Sequence, residues 1–180
     1  MTSYFALLGL PETLILEAAS VEDSWRTLTR NEPSGSLEPD LNRARATLLD
    51  PVTRLAHWLE LRAPDARVDR TIEPALMDLF SEIGPVIKTT DDLLNRHRKA
   101  TTALARAVLT REAIAAQLRI QQLLQRLQTL KTSLIERFDA IEADVENGCF
   151  DEATKSLGQL KFLSRWEEQC RERLLSLIAC

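Results

Sequence analysis

The residue types that carry most protein chemistry are few in this chain of 180 residues, and poorly spaced for it. The two histidines, His57 and His97, lie forty positions apart, and Cys149, Cys170 and Cys180 form no CxxC pair. A metal site needs several such ligands to converge, so none is expected. His57 precedes Trp58 and has no nucleophile or carboxylate at catalytic spacing. There is no GxSxG, no Gly-rich phosphate loop and no paired-carboxylate motif. The reading is of a protein that is not an enzyme and uses no cofactor. Unpaired cysteines in odd number fit a reducing cytoplasm rather than a disulfide framework.

What remains is binding chemistry. Leu76, Met77 and Phe80 recur at helical spacing, a pattern that belongs to a core unless part of it is left exposed. Phe162 lies one position off the Leu160/Leu163 stripe and is expected to face outward. The run Arg96-His97-Arg98-Lys99 reads as a solvated helix face, with an acidic or phosphate partner as the alternative. Trp25, Trp58 and Trp166 all fall on apolar stripes and read as core. The net charge of −4 argues against nucleic acid as a main partner, which needs a basic surface. It is uneven: residues 1–62 hold six Lys/Arg against nine Asp/Glu, and residues 63–180 seventeen against eighteen. Phe5 to Leu10 is apolar but too short for a membrane span or a secretory leader, so no membrane partner is expected.

The elements that position these residues are helices. Hydrophobic content is 44%, charged content 28%, and only 5 residues are Gly, while strand alternation and hairpin turns are missing. A short helix is expected over Tyr4–Leu8, stopping at Gly9, and a second from about Leu14 to Arg30 with Val21, Trp25 and Leu28 on one face. Pro33, Gly35 and Pro39 then break the chain. A third helix starts near Asp40 as N-cap and carries Leu41, Ala44, Leu48 and Leu49. Asp50-Pro51 reads as N-cap and first position of a fourth, through Leu61, burying Leu55, Trp58 and Leu59.

Residues 63–72 form a polar connection, and a second helical unit begins at Thr71 or Ile72 with Pro74 in its first turn. Gly84-Pro85 should kink or interrupt that helix. After Thr110 comes the longest periodic run, Ile114 and Leu118 through Ile120, Leu123, Leu127 and Leu130 to Val145, ended by Asn147-Gly148. A last helix from Phe150 or Asp151 buries Ala153, Leu157, Leu160, Leu163, Trp166, Cys170, Leu174 and Leu177. Stripes this long need partner helices, so the second unit is expected to be an antiparallel bundle.

Several stretches, in order, resemble the HscB-type J-domain co-chaperones of iron–sulfur cluster assembly. Tyr4-Phe-Ala-Leu-Leu-Gly-Leu-Pro11 resembles the family's opening. Asn42-Arg-Ala-Arg-Ala-Thr-Leu-Leu-Asp-Pro-Val-Thr-Arg-Leu-Ala-His-Trp-Leu-Glu-Leu61 resembles its Asn-x-Ala…Pro-x-x-Arg-Ala segment. Leu76-Met77 and Phe150-Asp-Glu-Ala through Leu160-Lys-Phe-Leu-Ser-Arg165 resemble the start and end of its C-terminal bundle. Residues 88–113 match nothing and lengthen the bundle. The resemblance implies an all-α, L-shaped molecule: a small degenerate J-domain-like unit over residues 1–62, the connection, and a helical bundle over 73–180.

The departures matter as much as the matches. Family members carry His-Pro-Asp in the turn after the second helix; here Pro33, Ser34 and Gly35 occupy it, or Glu32, Pro33 and Ser34 with one gap. The third helix is expected to lack its first turns. The second helix is usually a basic face for an acidic groove on a DnaK-type chaperone, but Arg26 and Arg30 are offset by Glu17, Glu22 and Asp23. Weak or no chaperone contact follows. The resemblance also implies that the bundle binds an IscU-like scaffold through an apolar patch, which carries over as Leu76, Met77, Phe80 and Phe162. The patch's acidic neighbours do not carry over; Ser81, Gly84 and Lys88 stand in those places. Two readings follow: an adaptor that binds a client without stimulating the chaperone, or a genuine co-chaperone of cluster assembly. An exposed bundle stripe also fits a helical interaction protein unrelated to clusters, or a homodimer.

Overall fold

A computed structural model describes residues 2–31, 38–69, 71 and 73–179, with the side chain of Ala75 excepted. The described residues hold eight helices and no strand: α1 Tyr4–Leu7, α2 Ala18–Asn31, α3 Glu38–Leu49, α4 Pro51–Arg62, α5 Pro74–Lys99, α6 Ala103–Ile135, α7 Phe138–Glu146 and α8 Asp151–Ile178. The all-α expectation holds. The chain divides into two compact units. One comprises Met1–Arg70 with Leu134–Gly158, the other Thr71–Ser133 with Gln159–Cys180. The segment holding α7 and the first turns of α8 therefore groups with the N-terminal helices rather than with the chain around it.

In the first unit, local chemistry sets most helix ends. Ser3 caps α1 through its hydroxyl on the Ala6 N–H, and Gly9 terminates it at φ +65, a region open to glycine. The Asp50 carboxylate accepts from the N–H groups of Val52 and Thr53, and Pro51 opens α4, as the sequence implies. Phe5, Leu8, Val21, Leu48, Leu55 and Trp58 form the centre of the core. Two starts differ from expectation. α2 begins at Ala18 rather than Leu14, because Thr13 Oγ1 and the Leu14 N–H both bond the Glu142 carboxylate of α7, which holds this segment out of the helix. Asp40 lies inside the first turn of α3 instead of capping it, since that helix already starts at Glu38.

In the second unit, α6 runs antiparallel to α5 and to the C-terminal part of α8. Arg126 pairs with Glu82 and Arg96 with Glu112 across α5/α6, while Lys131 meets Glu167 at 3.3 Å and Gln117 donates to the Leu177 carbonyl across α6/α8. Ile83, Ile120, Leu123, Leu127, Leu160 and Leu163 fill the interior. Gly84-Pro85 does not interrupt α5, which continues to Lys99. The long periodic run also behaves differently from its sequence reading. It starts earlier, at Ala103, with Thr110 inside the helix and back-bonded to the Arg106 carbonyl. It breaks at Glu136-Arg137 before α7 resumes. Ile114 and Leu118 are exposed, because Leu109, Ala113 and Ile120 occupy the inward face at that end.

Candidate functional site

Three aromatic side chains meet on the α5/α8 face of the second unit. Phe80 stacks on Phe162 with centroids 5.0 Å apart, and Trp166 meets Phe80 edge-on at 5.0 Å. Phe162 and Trp166 are separated by one helical turn, i to i+4, which puts both on the same side of α8. Leu76, Leu79, Ile83, Leu127 and Leu163 close the base of this cluster, leaving a crevice of about 10 Å³. That volume is too small for a ligand or cofactor.

Exposure separates the sequence candidates. Leu76 is buried and supports the cluster from below. Phe80 and Phe162 are half-buried, each with part of its ring at the surface. Met77, one turn before Phe80, is 52% exposed. Leu76, Phe80 and Phe162 are thus brought together, and Met77 extends the same helix outward. Ser81, Gly84 and Lys88 continue the exposed stripe of Met77 along α5, with no carboxylate among them.

Trp166, whose stripe predicts core, is instead a half-buried member of the cluster. Its indole N–H is buried and has no hydrogen-bond partner. The available signal was its spacing of four from Phe162. Below it, Glu167 is buried and held by Lys131 and Arg171, a charged network that fixes this stretch of α8.

The second candidate region lies on α2. Arg26 and Arg30 are both exposed, and Arg26 pairs with Asp23 at 3.5 Å. Glu22 is taken up by α3 rather than by Arg26 or Arg30. It grips the Arg45 guanidinium through Nε at 3.0 Å and through NH2, and the hydrogen bond from Arg45 holds its carboxyl below the usual carboxylate range. Arg45 also lies over the Trp25 ring, whose indole donates to Asn42. Trp25 is therefore half-buried on the α2/α3 surface and not in the core. Pro33, Ser34 and Gly35 lie outside the described residues.

His57 is buried against α1. Its Nε2 accepts from the Tyr4 N–H at 2.9 Å, and its ring stacks on Tyr4 with centroids 4.4 Å apart. Burial lowers its pKa, with Glu60 and Glu12 acting weakly in the other direction. Among the described residues no group of three His, Cys, Asp or Glu is placed to hold a metal ion, and no helix is long and apolar enough to cross a membrane.

Comparison of the whole chain with solved structures decides the fold. The human co-chaperone protein HscB superposes with a TM-score of 0.58 at 17% identity, over 96% of this chain and 82% of the other. The fold is that of the HscB co-chaperones. The chaperone HscB from Vibrio cholerae gives a TM-score of 0.55 at 18% identity, over 95% of this chain and 96% of that one. No protein-family model matches the sequence, and no curated protein matches it by sequence. The HscB likeness is thus one of fold at low identity.

Proposed function

We propose that this chain is an HscB-like adaptor. It takes up a protein client, of which an IscU-like iron–sulfur scaffold is the expected one, and does not stimulate a DnaK-type ATPase. The carrying observation is the half-exposed Phe80/Phe162/Trp166 cluster, with Met77 exposed one turn away, in an HscB fold. Exposed aromatics and Met on a rigid helical face are the usual anchors of a protein interface. Loss of chaperone stimulation rests on the missing His-Pro-Asp and on α2, where Arg26 is tied to Asp23. The adaptor belongs in a reducing cytoplasm, in keeping with the free thiols of Cys149 and Cys170.

Titration calorimetry against a purified IscU-like scaffold tests the client face. Met77→Ala and Phe162→Ala should each weaken binding by about tenfold or more. Met77→Ala should leave the thermal melt within about 0.5 kcal/mol of wild type, being a surface change. Phe162→Ala should cost about 2 kcal/mol, less than full burial would imply. Undiminished binding by both variants would remove the site. A second reading, a genuine co-chaperone of cluster assembly, is favoured by the likeness to HscB along nearly the whole chain. A DnaK-type ATPase assay with client present separates the two: a flat response supports the adaptor, and stimulation supports the co-chaperone.

A further inference from the structure

The end of the α5/α6 hairpin carries a second surface that the client face does not use. α8 reaches it only as far as Asp91 and Gln117, through Arg173 on Asp91 at 3.2 Å and the Gln117 bond to Leu177. A groove runs between α5 and α6 alongside these contacts and on toward the end of the hairpin. Its first part, about 370 Å³, is floored by Val86, Thr89 and Leu93 against Ala115 and Ala116. It exists because the two alanines are too small to fill the space between the helices. The Thr89 and Thr90 hydroxyls turn back onto the carbonyls of Pro85 and Val86, both at 2.8 Å, so they present methyl groups to the groove. A second hollow of about 530 Å³ is lined by Leu104, Ala105, Val108 and Leu109, and Arg96 borders both. Leu104 is 76% exposed and Val108 53%.

The rim is basic in a chain whose net charge is −4. The charged side chains that line it are Arg96, Lys99 and Arg119 against the one carboxylate of Glu112. Arg96 already neutralises that carboxylate with two bonds, at 2.8 and 3.0 Å. An apolar, concave floor between two helices fits the ridge of a third helix, and a surplus of cations along its edges calls for carboxylates on that helix. A bilayer is flat: it would reach Leu104 and Val108 but would not follow the concave floor along Ala115 and Ala116.

We propose that this groove is a docking site for an acidic amphipathic helix of a partner protein, its apolar stripe seated on Ala115 and Ala116 and its carboxylates on Arg119 and Lys99. The proposal is independent of the client face, which lies on α5 and α8 around Phe80 and Phe162. A fluorescein-labelled, stapled helical peptide with a Leu stripe flanked by Glu is titrated against the full chain and followed by anisotropy. A twin peptide carries Lys in place of Glu. The acidic peptide should saturate the protein, and the twin should bind about tenfold more weakly or worse. Ala115→Phe, which fills the floor at an exposed position, and Arg119→Glu should each weaken the acidic peptide by about tenfold, with the helical melt unchanged. Failure of the acidic peptide to saturate, equal binding of the twins, or binding indifferent to Ala115→Phe overturns the proposal. So does sedimentation with phosphatidylserine vesicles that Leu104→Asp abolishes while the peptide does not bind, which assigns the surface to lipid. Self-association dissolved by Arg119→Glu assigns the groove to a second copy and overturns it equally.

Discussion

His57 ties stability to pH through a single acceptor. Its Nε2 must be unprotonated to accept from the Tyr4 N–H, and burial favours that neutral state. The folded pKa is therefore below the ordinary value near 6.5, and the unfolded chain binds the proton more readily. This contribution is complete above pH 6.5 and is lost as pH falls from there through the folded pKa. Loss of one hydrogen bond is worth about 1 kcal/mol. Urea midpoints at about pH 7.5 and 5.5 should drop more in the wild type than in His57→Gln, whose amide oxygen accepts at either pH. Equal drops in the two proteins would show that the acid sensitivity arises elsewhere. Residues of this kind were hardly legible in the sequence. The bond of His57 to Tyr4 spans 53 positions, and no local pattern announces it. The same holds for Arg54, whose buried guanidinium donates to the Leu48 carbonyl.

At the scale of elements, legibility followed the range of the cause. Asp50-Pro51, Gly9 and Asn147-Gly148 work through their nearest neighbours, and the helix ends lie where those residues put them. Ala153, Leu157, Leu160, Leu163 and Cys170 are buried as their spacing implies. The break at Glu136-Arg137 was hidden because Leu134, Phe138 and Ile141 keep coiled-coil spacing across it and are all buried. Leu14 and the start of α2 depend on Glu142, far away in sequence. For the client face, Leu76, Phe80 and Phe162 do converge, while Trp166 was missed because a Trp on an apolar stripe is more often core. Another long-range cause sits in the first unit at Gly158, in α8. A Cβ there would run into the backbone carbonyl of Asp69, which cannot step aside as a side chain would. Gly158→Ala gains about 1 kcal/mol of helix propensity but meets an overpacking cost of about 1–3 kcal/mol. The net expected outcome is a lower urea midpoint at unchanged m-value. A raised midpoint would mean that residues 63–69 yield easily.

Across the whole molecule, charge is sorted by region, and the two proposed surfaces should differ in their response to salt. Residues 93–119 are basic, whereas residues 136–152 hold seven carboxylates against Arg137 alone. The client face lies outside both stretches, and the exposed stripe beside it, Ser81, Gly84 and Lys88, carries no carboxylate. Client binding there should draw on apolar contact and change little when NaCl is raised from about 0.05 to about 0.5 M, a range over which the Debye length falls well below 10 Å. Acidic-peptide binding at the hairpin groove should weaken steeply over the same range. Gly84 offers a direct check, because a Cβ at that position meets nothing within 4 Å. Gly84→Glu with Lys88→Glu installs two exposed carboxylates at positions where the HscB resemblance implies acidic neighbours of the patch, each worth up to about 1 kcal/mol. The double variant should bind an IscU-like scaffold about fivefold more tightly at low salt. That gain should vanish at high salt while the wild-type affinity stays put. A wild-type affinity that collapses with salt would instead show that the client is held by charges elsewhere on the chain, and Met77, Phe80 and Phe162 would lose their role as the centre of the interface.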